Sequence, residues 1–326
     1  MKKGADAAKP EKGRAASRAL RLFVSAIVLA VILKIIPAKE VFARMRDVSP
    51  FLWLGVFAAF IAGHAAAAAK WRLLIGVGVP YPAALRAHFA GLAANLALPG
   101  VAGGDIVRAG IVMKDSDRKT TLAMASLADR LIDVAALLMI SAAGAAFIGA
   151  RSGVNEAALL AAAFVVFAAG ASGVFSIGRI ATLVQRLAPA GKVGEILRKV
   201  AGAFSELATR RTAFAVCLVA SILIQSTFAL LTGLIARDIG LVAPIGVWLF
   251  AWPLAKLVAT LPISFGGIGV REASLAGVMA PLGYPAAGVI AASLIWQTIQ
   301  ISGGVLGALF LTLKNGGSRN AGAAHG

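Results

Sequence analysis

Two segments of this sequence carry residues suited to chemistry in an apolar setting. They are Leu98-Pro99-x3-Gly103-Gly104-x3-Arg108 and Leu261-Pro262-x3-Gly266-Gly267-x3-Arg271. Proline ends an incoming helix, because it lacks an N–H and clashes with the preceding turn. Gly-Gly lets the backbone turn and approach a ligand closely. The next helix begins with free N–H groups and the positive end of its dipole, which favours an anion such as phosphate. An arginine one turn in adds a planar guanidinium suited to bidentate phosphate contact.

Other ionisable residues share these apolar surroundings: Asp105, Asp129, Arg130, Asp133, Lys256 and Glu272. Each costs about 2.5–3.5 kcal/mol to insert in a bilayer, so each needs a partner or a function. Asp105 and Arg108 are spaced to pair, and Asp129 and Asp133 share one helix face. Arg130 is expected to reach a different neighbour. Arg271 is expected to face a ligand, with Glu272 pairing to Lys256 or Arg130. Ion pairing within a bundle competes with function for all of them. Asn95, just before the first Pro-Gly turn, either caps it or contacts ligand. His64, His88, Gln297 and Gln300 read as packing or interhelical hydrogen bonding.

The elements that must position these residues are membrane helices. The chain has 326 residues, 60% hydrophobic and 14% charged, against about 25% charged in soluble domains. Apolar runs recur from Leu20 to Leu313. The net charge of +18 does not indicate nucleic acid. The basic residues lie in the N-terminal tail, in one central loop and beside helix ends, a pattern that orients membrane proteins and attracts anionic headgroups. A single cysteine, Cys217, excludes an intramolecular disulfide and argues against structural zinc. No metal or other cofactor is expected.

Residues 1–19 read as a disordered basic tail, 20–313 as one membrane domain and 314–326 as a polar tail. Spanning helices are expected near 20–36, 51–69, 120–150, 156–177, 212–236 and 286–312. The first could instead belong to a signal peptide cleaved after Ala43; Lys34 within it favours retention. Lys70-Trp71-Arg72 reads as an interface anchor closing the second helix. Residues 37–50 read as a loop and 178–211 as amphipathic helices at the cytoplasmic surface. The stretches 84–98/105–113 and 243–261/270–280, interrupted at Pro and Gly, read as two broken or re-entrant elements, tolerated only where protein or a water-filled cavity satisfies the backbone.

The two motifs are offset by 163 residues, and the flanking helices shift by about as much, giving repeat halves near 51–150 and 212–312. Seven Lys/Arg from Lys2 to Arg21 and seven in 178–211 place the N-terminus and that loop in the cytoplasm. The halves are then inverted, and paired interrupted segments in inverted halves point to a transporter's binding site. The expected fold is thus an all-α polytopic bundle of about six spanning helices with an inverted repeat, in a bacterial inner membrane.

Three groups of residues resemble the lysylphosphatidylglycerol synthase transmembrane family. They are Asn95-x3-Pro99-x3-Gly103-Gly104-Asp105-x2-Arg108, then Asp129-Arg130, then Pro262-x-Ser264-x-Gly266-Gly267-x-Gly269-x-Arg271-Glu272. The resemblance covers nearly the whole chain beyond the tail. It implies translocation of a lipid headgroup between leaflets, without the soluble aminoacyl-transferase domain of two-domain relatives. Motif and resemblance together give an expected substrate site of Asn95, Gly103, Gly104, Asp105, Arg108, Asp129, Arg130, Ser264, Gly266, Gly267, Arg271 and Glu272. The partner would be a phospholipid or other polar lipid. Two alternatives stand beside this. One is a lipid-modifying enzyme binding Mg²⁺ through Asp129 and Asp133. The other is an accessory subunit docking a lipid synthase through its basic 178–211 surface.

Overall fold

The protein is described by a computed structural model over residues 38–97, 102–149, 178–261 and 267–321, apart from 77, 115 and 190, with scattered residues between 165 and 176. The expected tail, the helices at 20–36 and 156–177, and the two Pro-Gly turns, with Ser264 and Gly266, lie outside the described residues.

Among the described residues the chain is helical and contains no strand. The helices are α1 (Ala38–Arg46), α2 (Pro50–Ile75), α3 (Tyr81–Ala97), α4 (Ala102–Met113) and α5 (Lys119–Gly149), then α6 (Lys192–Ala208), α7 (Arg211–Asp238), α8 (Ile245–Thr260), α9 (Val270–Met279) and α10 (Ala286–Ala321). Residues 178–187 are also helical. Four helices, α2, α5, α7 and α10, are long and apolar enough to cross a membrane. With about 1.5 Å of rise per residue, the 26 residues of α2 span about 39 Å. Ser49 starts α2 with Pro50 in the first turn, and Gly76, at φ 101°, ends it by donating to Arg72 O.

Two expectations change here. Residues 38–46 form a helix where a loop is expected. They carry no helix breaker, and Val41 packs into the core as Arg44 donates to Ile239 O. Helix α2 does not end at Lys70: it continues to Ile75, because Leu73, Leu74 and Ile75 prolong the apolar run. Lys70 and Trp71 therefore sit inside the bundle at 4% and 0% exposure, not at a membrane interface.

α2 and α7 run antiparallel. Ser49 N–H donates to Asp238 at one end, Lys70 reaches Ser221 further along, and Gly76 lies against Arg210 at the other. α5 and α8 are likewise antiparallel, Ser141 bonding Phe250 O while Phe147 covers Gly246. So are α3 and α10, with Gly307 against Phe89 and Gly304 against Leu92. Glycines set these distances: a Cβ on Gly144 would lie 2.4 Å from Phe250 N, and one on Gly307 2.2 Å from Phe89 O. Close backbone approach is how helices associate where lipid tails are as apolar as the side chains.

α3 and α4 fold back on each other as a hairpin, and α8 and α9 make a second one. A core of Phe60, Phe228, Trp248, Trp252 and Trp296 fills the side towards α8 and α10. A second core, around Trp71, Leu74, Ile132 and Cys217, joins α2, α5 and α7. The outward faces, including Phe51, Ile106, Val219 and Leu223, are exposed apolar side chains suited to lipid.

Candidate functional site

The tip of the α3–α4 hairpin is held by its own side chains. Asn95, in the last turn of α3, accepts the Gly104 N–H at 2.7 Å, which caps the start of α4. Gly91 and Gly104 cross at backbone contact; a Cβ on Gly104 would lie 2.3 Å from Gly91 O. Gly104 thus serves helix-to-helix contact. Gly103 is half-buried beside it. One turn on, Arg108 points into the bundle at 4% exposure.

Arg108 enters a chain of alternating charges. Its Nη2 meets Asp129 at 2.6 Å, its Nε meets Asp105 at 3.2 Å, and its guanidinium stacks over Trp71 at 4.7 Å. Asp105 also receives Arg130. Asp129 is shared with Lys70 at 2.9 Å, and Lys70 reaches Asp133 at 2.6 Å. Ser221 donates to Asp133 at 2.7 Å. Three cations and three carboxylates are thereby joined across α2, α4 and α5, and the formal charges cancel. Arg108 Nη1 also approaches His88 Nδ1 at 3.3 Å. Arginine can only donate, so His88 Nδ1 accepts, and the His88 Nε2 proton is the one shared with His64 Nδ1 at 3.0 Å.

The second hairpin presents its cations differently. Arg271, one turn into α9, donates to Gln297 at 2.9 Å and to Gln300, both on α10. Lys256, on α8, donates to Gln225 at 2.6 Å and lies 5.0 Å from the Trp252 ring centre and 5.9 Å from that of Phe228. Among the described residues no carboxylate is within salt-bridge distance of Lys256. Gly267 has φ 77°, the left-handed region that favours glycine, and its carbonyl accepts the Arg271 N–H at 3.0 Å.

Both hairpins meet at one cavity of about 150 Å³, roughly ten times the ~10–15 Å³ that one water needs. Asn95, Gly104, Asp105 and Arg108 line it from the first hairpin, and Lys256, Thr260 and Arg271 from the second. Lys70, Asp129, Arg130 and Asp133 line it from α2 and α5, with Gln225, Gln297 and Gln300 as amides and Phe60, Phe228, Trp252 and Trp296 as aromatic wall.

Of the expected site residues, Asn95, Gly104, Asp105, Arg108, Asp129, Arg130 and Arg271 come together around this cavity. Gly103 lies in α4, and Gly267 just before α9. Glu272 does not pair with Lys256 or Arg130. It is fully buried, accepting the Gly269 N–H at 2.6 Å and the Ser293 hydroxyl at 3.0 Å, so it caps α9. The reason is local: a carboxylate three residues after the helix start reaches back to the free N–H there. The pair Asp129 and Asp133 does not present two open carboxylates to a metal, because Lys70 bridges them and Arg108 takes the remaining Asp129 oxygen. Among the described residues, no group of three or more His, Cys, Asp or Glu could hold a metal ion. Lys70, Gln225, Gln297 and Gln300 are cavity residues that the motifs do not flag.

Residues 18–307 match the family model described as lysylphosphatidylglycerol synthase TM region. A search of curated proteins finds no match.

Proposed function

The chain belongs to the lysylphosphatidylglycerol synthase TM-region family, a membrane family tied to lipid synthesis or flipping, and from that premise we propose that it binds an anionic or phosphate-bearing lipid headgroup and moves it between leaflets. One observation carries the reading. Arg108 and Arg271, at matching positions of the two motifs, line the same buried polar cavity from two different hairpins. A cluster of charges within a membrane bundle, around a space larger than several waters, is the feature expected of a pathway for a polar group.

The proposed topology supports it. Shifted by 163 residues, α2 falls on 213–238, against the observed Arg211–Asp238, and α3 on 244–260, against Ile245–Thr260. α5 falls on 282–312, within four residues of the start of α10. α2 and its counterpart α7 are antiparallel, as an inverted repeat requires. With the helices at 20–36 and 156–177 the bundle has six spans, its N-terminus in the cytoplasm of a bacterial inner membrane. The α3–α4 hairpin then enters from the cytoplasmic side and α8–α9 from the other, as re-entrant elements. The headgroup passes the tips of both while its acyl chains stay in the bilayer, and the residues act by binding rather than by covalent chemistry.

The test is headgroup translocation in vesicles containing the purified full chain and a labelled phospholipid. Arg108→Ala and Arg271→Ala are each expected to abolish it in the folded protein, Arg108→Ala with a loss of stability as well because it leaves Asp129 and Asp105 with one cation fewer. Wild-type rates in both variants would sink the mechanism.

A further inference from the structure

Two histidines stand between the ion-pair network and the aromatic wall of the cavity. His88, buried on α3, holds Nδ1 3.3 Å from Arg108 Nη1 and Nε2 3.0 Å from Nδ1 of His64 on α2. The donor and acceptor roles along this chain follow from Arg108. Arginine has no acceptor, so it donates and His88 Nδ1 accepts. A neutral imidazole that accepts at one nitrogen carries its proton on the other, so His88 Nε2–H donates to His64 Nδ1. The reverse direction would leave both His88 nitrogens accepting, which only an imidazolate can do. An imidazolium has no acceptor nitrogen, so neither ring is charged in this arrangement. By the same rule His64 carries its proton on Nε2. Among the described residues that N–H meets no protein acceptor. His64 itself lines the cavity, its ring centre 4.3 Å from that of Phe60 and 5.3 Å from that of Phe228.

Resting on the lipid-handling reading above, we infer that His64 is a ligand-binding residue, whose Nε2–H, oriented by Arg108 through His88, donates to a phosphodiester oxygen of the lipid headgroup. An N–H without an acceptor costs free energy in an apolar setting unless water or a ligand takes it. The cavity has room for either. The donor is also preorganised. Phe60 and Phe228 pack on the His64 ring, His88 occupies its Nδ1, and Arg108 is anchored by Asp105 and Asp129. Little ordering is then left to oppose binding. Because the donor is uncharged, it recognises the phosphodiester that phospholipids share and is indifferent to the charge on the rest of the headgroup.

The experiment combines nuclear magnetic resonance of isotope-labelled histidine nitrogens in the full chain, purified in uncharged detergent at neutral pH, with binding of dioctanoyl phosphatidylglycerol. Both rings are expected as neutral Nε2–H tautomers. The lipid is expected to shift the His64 Nε2 resonance, which is assigned by its absence from His64→Asn. That variant keeps an amide oxygen near the place of Nδ1 to accept from His88, and lacks the far N–H. It should weaken the lipid about tenfold, as for loss of one hydrogen bond to a charged group. His64→Gln carries an amide N–H out to the reach of Nε2 and should restore most of the affinity. An Nδ1–H tautomer or an imidazolium at either residue would overturn the inference. So would a folded His64→Asn protein with wild-type affinity, a His64→Gln protein as weak as His64→Asn, or a wild-type protein that does not bind the lipid. Vesicle transport separates it from the broader reading. Equal binding and transport by wild type and His64→Asn defeat the His64 contact and leave lipid handling intact. Binding that depends on His64, without transport, leaves the inference standing and defeats translocation.

Discussion

Arg108 and Arg271 occupy the same place in two copies of one motif, yet the molecule surrounds them with different chemistry. Arg108 sits among carboxylates, with Asp105 and Asp129 on it and Lys70 beyond. Arg271 donates to the amides of Gln297 and Gln300, and the acid next to it in sequence turns away to cap α9. A neutralised network fixes helices to each other. In the second half Lys256 is held by an amide and by aromatic rings. The comparison teaches that backbone repetition and charge repetition are separate: the first half carries a neutralised ion-pair network, the second holds its cations with amides and rings.

The comparison breaks most visibly in the first half. Asp129→Asn removes the carboxylate between Lys70 and Arg108 and leaves three cations against two carboxylates. A loss of about 3–5 kcal/mol is expected, as for breaking a buried ion pair, read as a large fall in the unfolding temperature in detergent. A change within the error of the measurement would show that the network is not structural. The hairpin contact comes next. Gly104→Ala places a methyl 2.3 Å from Gly91 O and must part α3 from α4, at roughly 1–3 kcal/mol. Gly110→Ala, which meets nothing within 4 Å, should be neutral or stabilise by up to about 1 kcal/mol. Equal effects in the two variants would refute the packing role of Gly104. The smallest destabilisation belongs to Glu272→Gln. It weakens a cap that the amide still partly makes, so roughly 1 kcal/mol of stability is expected to go, measured by the same unfolding curves.

Much of this was legible in the sequence for a physical reason. Bilayer thickness and hydropathy alone bound the long helices: 120–150 is expected and Lys119–Gly149 found, 212–236 expected and Arg211–Asp238 found. The ionisable residues stood out because charge is expensive in an apolar run. The pairings were harder to see. Lys70 resembles an anchor because Lys-Trp-Arg after an alanine run is what ends many membrane helices. Its partners Asp129 and Asp133 lie on another helix some sixty residues away. The signal that reveals it is Leu73-Leu74-Ile75, which carries α2 onward and leaves Lys70 about 7.5 Å inside the helix end. Gln297 and Gln300 read as interhelical hydrogen bonding, and they do bond across helices; only the placement of Arg271 brings that bonding to the cavity. Glu272 was misassigned because its neighbour in sequence drew attention to side-chain charges, whereas its partner is a backbone N–H of its own helix.

The most direct measurement is native mass spectrometry of the full chain purified from its membrane in mild detergent, beside the Arg108→Ala and Arg271→Ala variants. The account predicts a bound lipid with a phosphate-bearing headgroup on the wild-type protein, retained by neither variant. A wild-type protein that carries no lipid, or variants that carry the same lipid at the same occupancy, would contradict it.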